Sequence, residues 1–185
     1  NLGYRYLTPA EALAMRDGRE SQVLLLDVLT DQLRALNHVR HRGEERPFTE
    51  SAIADAVRQL RDADDGGGIL ATNRTVWELL RYGIAAPQTI AGDTRSFPLR
   101  YVDWEHPERN LFHVTDEFAV TRAGRTDTYR PDVVLFVNGI PFVVVECKRP
   151  SLKEALGEAV SQQIRNQKED GIPQLYHFAQ LLLAV

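Results

Sequence analysis

The sequence of 185 residues has one cysteine and no apolar run that approaches the roughly 20 residues of a membrane-spanning helix. A single cysteine excludes an internal disulfide and a cysteine-rich zinc site. The five histidines lack metal-ligand spacing, and the absence of a Gly-x-x-x-x-Gly-Lys-Ser/Thr segment excludes a nucleotide-binding phosphate loop of that type. The N-terminus has no basic region followed by an apolar stretch, which predicts a cytoplasmic protein without a signal peptide.

Charge is distributed unevenly along the chain. The formal net charge is −4, which argues against a general binder of nucleic acids. Residues 121–153, however, hold six basic and three acidic side chains, a net +3 that leaves −7 for the remainder. A basic rim around an acidic centre would suit a metal-dependent enzyme that acts on a polyanion. A chance fluctuation on a solvated surface explains the same counts equally well.

Hydrophobic periodicity places helices first and strands later. Helical stripes predict helices at 20–37, 49–60, 73–82, about 151–170 and 174–180. Strand patterns predict strands at 84–91, 97–103, 111–120, 128–137, 141–148 and 181–185. Residues 38–48 are charged and end near a proline, which predicts a loop, and residues 62–68 interrupt the helices. This order indicates one domain, residues 1–185, of the α/β (α+β) class with a single central sheet.

The helix near residue 151 combines a start signal with a polar residue on its apolar side. Ser151 and Glu154 form a capping-box pattern. The predicted core face comprises residues 152, 155, 156, 159, 160 and 164. Gln163 falls on this stripe, four residues after Ala159. A glutamine in such a position usually satisfies a buried backbone group.

Residues 130–148 read as two apolar strands around an Asn-Gly turn, with charged residues at the strand ends. Because strand side chains alternate between faces, Glu146 and Lys148 point one way. Cys147 then points the other way, into the core, as a small inert hydrophobe. Asp132 lies at the start of the first strand. Two carboxylates and a lysine that converge suit a hard cation and an activated water, whereas a surface salt bridge is the alternative.

The same segment carries a family resemblance. An Asp followed fourteen positions later by Glu-x-Lys resembles the core of the PD-(D/E)xK nuclease superfamily, although this short pattern is weak alone. The longer string over 130–150 is specific and resembles the N-terminal nuclease region of the R (restriction, motor) subunit of type I restriction enzymes. Weaker likenesses lie at residues 36–37, 73, 79–83, 110–112 and 172–176.

The resemblance implies a restriction-endonuclease-like fold, a central mixed β-sheet flanked by helices. It implies a Mg²⁺-dependent endonuclease, a type I site-specific deoxyribonuclease that hydrolyses phosphodiester bonds of DNA. Asp132, Glu146 and the backbone carbonyl of Cys147 would hold Mg²⁺. Lys148 would orient a water molecule or stabilise charge in the transition state. In this family the chain would be part of a larger motor subunit, with ATP used only by downstream motor domains and with modification and specificity subunits as partners.

The chain departs from the family pattern at two places. The family motif Gln-x-x-x-Tyr adds Gln163 to the expected catalytic residues, but Gln167 stands where the tyrosine belongs. In the family a glutamate-bearing helix precedes Leu-Gly-Tyr, and that helix is expected to be missing because the chain begins at Asn1-Leu-Gly-Tyr4. The candidates to replace its acid are Glu20, Asp27 and Asp31. A non-catalytic module that docks DNA or other subunits therefore stays open as an alternative function.

The Asn138-Gly139 turn decides whether the two carboxylates meet. A regular two-residue turn would pair Val137 with Ile140 and put Asp132 and Glu146 on opposite faces of the sheet. A three-residue loop with Gly139 at positive φ would restore a shared face. A β-bulge between residues 132 and 146 would do the same. We predict one of these two arrangements.

Overall fold

The computed structural model describes residues 3–63, 66–90, 92–148 and 155–185. Its helices are α1 (Pro9–Ala14), α2 (Leu26–Leu36), α3 (Glu50–Arg61), α4 (Ile69–Tyr82), α5 (Ala155–Asn166) and α6 (Pro173–Tyr176). Its first strands are β1 (Arg5–Leu7), β2 (His38–His41), β3 (Glu44–Pro47), β4 (Ile84–Ile90) and β5 (Asp93–Leu99). The later strands are β6 (Phe112–Asp116), β7 (Val120–Thr121), β8 (Thr128–Tyr129), β9 (Val133–Val137), β10 (Ile140–Glu146) and β11 (Leu181–Ala184).

A five-stranded sheet in the order β1-β6-β9-β10-β11 forms the centre of the fold. The inner strand β9 runs antiparallel to both β6 and β10. The edge strands pair in parallel, β1 with β6 and β11 with β10. The apolar runs of β9 and β10 suit these inner positions because an inner strand is buried more completely than an edge strand. The predicted class, a central mixed sheet flanked by helices, is confirmed. None of the described helices is long and apolar enough to cross a membrane.

The start of α2 packs against the turn between β9 and β10. The Leu25 N–H donates to the Gly139 carbonyl oxygen over 2.9 Å. A Cβ atom on Gly139 would lie 2.5 Å from the Leu25 carbonyl oxygen, which leaves room only for glycine. The helix then buries Leu29 and Leu33 in the core. These contacts hold the β9–β10 hairpin from its turn end.

Several predicted boundaries are wrong. The first predicted helix begins at Leu26 rather than residue 20, and the third begins at Ile69 rather than residue 73. The predicted loop at 38–48 contains the hairpin β2–β3. Only Val39 of β2 is buried, and all of β3 is exposed, so a charged hairpin of this kind has no apolar alternation to reveal it. Neither β1 nor α1 was predicted from the sequence.

The buried face of α5 also differs from the predicted one. Ala159 and Gln163 are buried, whereas Leu156 and Ile164 are 63% and 57% exposed. The small Ala159 side chain allows a close approach of α5 to the sheet. The next buried position on this face is Gln163, which carries an amide rather than an aliphatic group. The predicted capping box at 151–154 lies outside the described residues.

Candidate active site

A β-bulge sets the register of the β9–β10 hairpin. Asn138 and Gly139 form a two-residue turn with φ values of 52° and 80°. The first pairs are Ile140 with Val137 and Pro141 with Phe136, and after the bulge they are Val143 with Leu135, Val144 with Val134 and Val145 with Val133. The three-residue loop is therefore wrong and the bulge alternative is confirmed. Extended by one pair, the shifted register sets Asp132 opposite Glu146 on one face.

A buried amide network fixes the turn that precedes this bulge. The Asn138 Nδ2 donates to the Tyr101 carbonyl oxygen over 2.9 Å and to the Asn110 Oδ1 over 2.8 Å. The Asn138 Oδ1 accepts from the Leu111 N–H over 2.8 Å. Asn tolerates a left-handed backbone better than most residues, and these bonds satisfy its amide in the interior. The resemblance at 110–112 thus marks structural support for the hairpin.

Glu146 ends β10 as a buried carboxylate with one satisfied oxygen. Its side chain is 1% exposed, and its Oε1 accepts from the Lys148 Nζ over 2.9 Å. The other oxygen, Oε2, is buried and has no hydrogen-bond partner in the part of the chain that the structure describes. Burial raises the pKa of Glu146, the Lys148 ammonium opposes this rise, and the negative charge of Asp132 adds to it.

Asp132 approaches the same strand end from β9. Its Oδ2 accepts from the Cys147 N–H over 2.6 Å. This bond joins the chain just before β9 to the chain just after β10. The Cys147 side chain is exposed, so its predicted place in the core is wrong. The physical reason is that β10 ends at Glu146, and side-chain alternation does not continue past the last strand residue.

Lys148 lies between the sheet and α5. Besides the Glu146 Oε1, its Nζ donates to the Gln162 Oε1 over 2.7 Å. The hydrogen bond that Lys148 donates to the Glu146 carboxylate is the largest cause of a raised pKa of Lys148, which favours the ammonium form. Only 19% of the Lys148 side chain is exposed. The structure thus brings Asp132, Glu146 and Lys148 together at one strand end.

The Gln163 side chain contacts β11. Its Nε2 donates to the Leu183 carbonyl oxygen on β11 over 2.6 Å, and the Gln167 Nε2 donates to the Gln163 carbonyl oxygen over 3.2 Å. The neighbouring Gln162, which the sequence reasoning missed, makes the contact with Lys148. The only signal for it was its position beside the family glutamine on the same helix turn. The face that α5 turns to the sheet determines that Gln162, and not Gln163, contacts Lys148.

The donor set fits a hard cation, although it is small. The described segments contain no group of three or more His, Cys, Asp or Glu side chains that could hold a metal ion. Asp132 and Glu146 supply two carboxylates, and the buried unpartnered Glu146 Oε2 is the kind of atom that a cation satisfies. The backbone carbonyl of Cys147 would add a third oxygen. Such all-oxygen sets suit Mg²⁺ better than a soft transition metal.

The acids proposed to replace the family's first-helix glutamate lie elsewhere. Asp31 on α2 pairs with Arg34 over 2.8 Å, and Asp27 is exposed on the same helix. Glu20 precedes α2, and its backbone carbonyl oxygen accepts from the Thr121 N–H over 3.1 Å. Within the described ranges none of the three forms a metal-binding group with the two site carboxylates.

Comparison with known proteins identifies the family. The chain is 28% identical over 166 residues to the type I restriction enzyme HindI endonuclease subunit of Haemophilus influenzae, which covers 90% of this chain and 15% of that protein. It is 26% identical over 186 residues to a protein of Methanocaldococcus jannaschii that is provisionally named type I restriction enzyme MjaIXP endonuclease subunit, covering 99% of this chain and 17% of that protein. The chain thus spans about a sixth of the length of these relatives.

The model of one protein family matches the whole of residues 1–185, and its description is type I restriction enzyme R protein N terminus. The similarity to the two named subunits covers nine-tenths or more of the chain, including the β9–β10 hairpin and its charged ends. The chain belongs to the family of N-terminal regions of type I restriction enzyme R proteins.

Proposed function

We propose that this chain is the Mg²⁺-dependent endonuclease domain of a type I restriction enzyme R subunit and hydrolyses phosphodiester bonds of DNA. We assign it to the PD-(D/E)xK superfamily. The observation that carries the proposal is the bulged register of β9 and β10, which puts Asp132 opposite Glu146 and beside Lys148. A regular hairpin would have separated the carboxylates. β-bulges are a common device for re-aiming functional side chains.

The residues of the site divide the chemical work between them. Asp132 and Glu146, with the Cys147 carbonyl, would hold Mg²⁺. The bound ion would polarise a phosphoryl oxygen and lower the pKa of a bound water. Lys148, held as an ammonium by Glu146, would orient the attacking water or stabilise the negative charge that develops on the phosphoryl oxygens. The contact of the Gln163 amide with β11 favours a structural role, and the catalytic role expected from the family motif is the alternative that a Gln163→Ala variant tests.

Membership of this family supports a proposal for the substrate and partner subunits of the complete enzyme. We propose DNA as substrate and the modification and specificity subunits as partners, because the curated relatives are named subunits of type I restriction enzymes. ATP would be consumed by motor domains beyond this region. We place the complex in the cytoplasm, without membrane association. A non-catalytic docking module is the second candidate. The observation in its favour is that, within the segments that the structure describes, no third His, Cys, Asp or Glu joins Asp132 and Glu146 in a group that could hold a metal ion.

Alanine variants in the complete enzyme test the proposal. Asp132→Ala, Glu146→Ala and Lys148→Ala are each expected to abolish DNA cleavage and to leave translocation and ATP hydrolysis intact. Glu45→Ala, which removes an exposed acid from the β2–β3 hairpin, serves as the control and should cleave normally. Cleavage by the Glu146→Ala enzyme near the wild-type rate would contradict the site assignment and favour the docking module.

A further inference from the structure

The contact between Gln162 and Lys148 gives a second element a part in the site. Lys148 follows β10, whereas Gln162 belongs to α5, fourteen residues later in the chain. Their 2.7 Å hydrogen bond therefore joins the helix to the charged strand end. Gln162 is half-buried, and the Lys148 side chain is mostly covered, so the bond forms in a partly desolvated place. Hydrogen bonds to charged groups in such places are stronger than neutral ones.

The geometry of the ammonium shows what the bond does. A lysine ammonium has three N–H donors and no acceptor. One donor of Lys148 meets the Glu146 Oε1 and a second meets the Gln162 Oε1. With two directions fixed, the third N–H has a defined direction instead of rotating freely. If Glu146 alone held the ammonium, the flexible four-carbon stem of Lys148 could swing about that single contact and carry the third N–H with it.

Gln162 also differs from Glu146 in charge. Glu146 would share its carboxylate between Lys148 and a cation at the open Oε2. A neutral amide oxygen holds the ammonium without competing for that cation. It also places no second negative charge beside Lys148, and an anionic phosphoryl group needs the positive charge of this side chain.

We propose that Gln162 is a positioning residue that fixes the Lys148 ammonium for phosphodiester cleavage. This inference rests on the proposed nuclease function. It assigns the glutamine contribution of α5 to residue 162, through its acceptor oxygen. Gln163, the next residue, instead donates from its amide nitrogen to β11.

The cleavage test uses a near-isosteric variant in the complete restriction complex under single-turnover conditions at saturating Mg²⁺. Gln162→Met keeps the length of the side chain and removes its carbonyl acceptor. We expect cleavage to slow by about tenfold or more, as for the loss of one hydrogen bond to a charged group. The melting temperature should fall less than in Gln163→Ala, because Gln162 is only half-buried and water can replace its acceptor. Gln162→Glu keeps an acceptor oxygen but adds a negative charge beside Lys148, so it should recover only part of the rate that Gln162→Met loses. Ser161→Ala, at an exposed neighbour on α5, is the matched control.

A second readout does not depend on cleavage. Reductive methylation of the Lys148 amine in the Mg²⁺-free R subunit, followed by mass spectrometry, should be severalfold faster in Gln162→Met than in wild type and unchanged in Ser161→Ala. Wild-type cleavage by Gln162→Met, cleavage by Gln162→Glu no faster than by Gln162→Met, or unchanged methylation would each overturn the inference. If the wild-type complex does not cleave DNA, the nuclease proposal fails, and the methylation rates then decide whether Gln162 holds Lys148.

Discussion

Replacement of Gln163 by alanine separates a structural from a catalytic role for this residue. The side chain is buried, and its Nε2 donates over 2.6 Å to the Leu183 carbonyl oxygen of β11. Alanine removes the donor and leaves that carbonyl oxygen without this partner. A lost buried partner costs about 1–3 kcal/mol of unfolding free energy. In a chain of this size, each kcal/mol lowers the melting temperature by about 2–4 °C.

The assay compares thermal and urea unfolding with DNA cleavage. We expect Gln163→Ala to melt roughly 2–12 °C below wild type and to cleave at a rate close to wild type below its melting range. Ser161→Ala, on the exposed side of α5, should stay within about 0.5 kcal/mol of wild type. An unchanged melting temperature together with a severe loss of cleavage would refute the structural reasoning and restore Gln163 to the catalytic set.

Two further predictions concern the hairpin and its buried acid. Gly139→Ala should lower the free energy of unfolding by at least about 1–3 kcal/mol in urea titrations, because φ is +80° and the added Cβ would meet the Leu25 carbonyl oxygen at 2.5 Å; wild-type stability would contradict this packing. Glu146→Gln should raise the melting temperature at pH 8 without divalent cations. Because the pKa of Glu146 is raised in the folded state, its contribution to stability is present below the ordinary value of about 4.3 and is lost as pH rises through the raised value. The increase in melting temperature that Glu146→Gln gives should therefore vanish near pH 4. A difference in melting temperature between the variant and wild type that does not change with pH would exclude the raised pKa of Glu146 as its cause.

The hairpin that holds the site was predictable because its signals are local. Two apolar runs around Asn138-Gly139 indicate paired strands, and the need for Asp132 and Glu146 to share a face limits the register to two solutions. The choice between them depends on distant contacts. Leu25 packs on the turn, and the Asn110 amide holds Asn138 in its left-handed conformation. Sequence spacing does not contain these contacts.

The wrong predictions for α5 and Cys147 also arise from tertiary contacts and element ends that the sequence pattern does not show. The helical stripe of α5 is real, but the orientation of the helix is set by the close approach of Ala159 and by the bond from Gln163 to β11. The larger apolar side chains of the stripe consequently remain exposed. The predicted core position of Cys147 was wrong because the end of β10 is not visible in an apolar run that continues into charged residues.

The most direct test of the central claim is a calorimetric titration of the wild-type chain with Mg²⁺ or Mn²⁺. The shared face of Asp132 and Glu146 predicts a heat of binding that disappears in Asp132→Ala and in Glu146→Ala and persists in Glu45→Ala. Binding of unchanged affinity in both site variants would contradict the claim that the bulged β9–β10 hairpin builds a metal site.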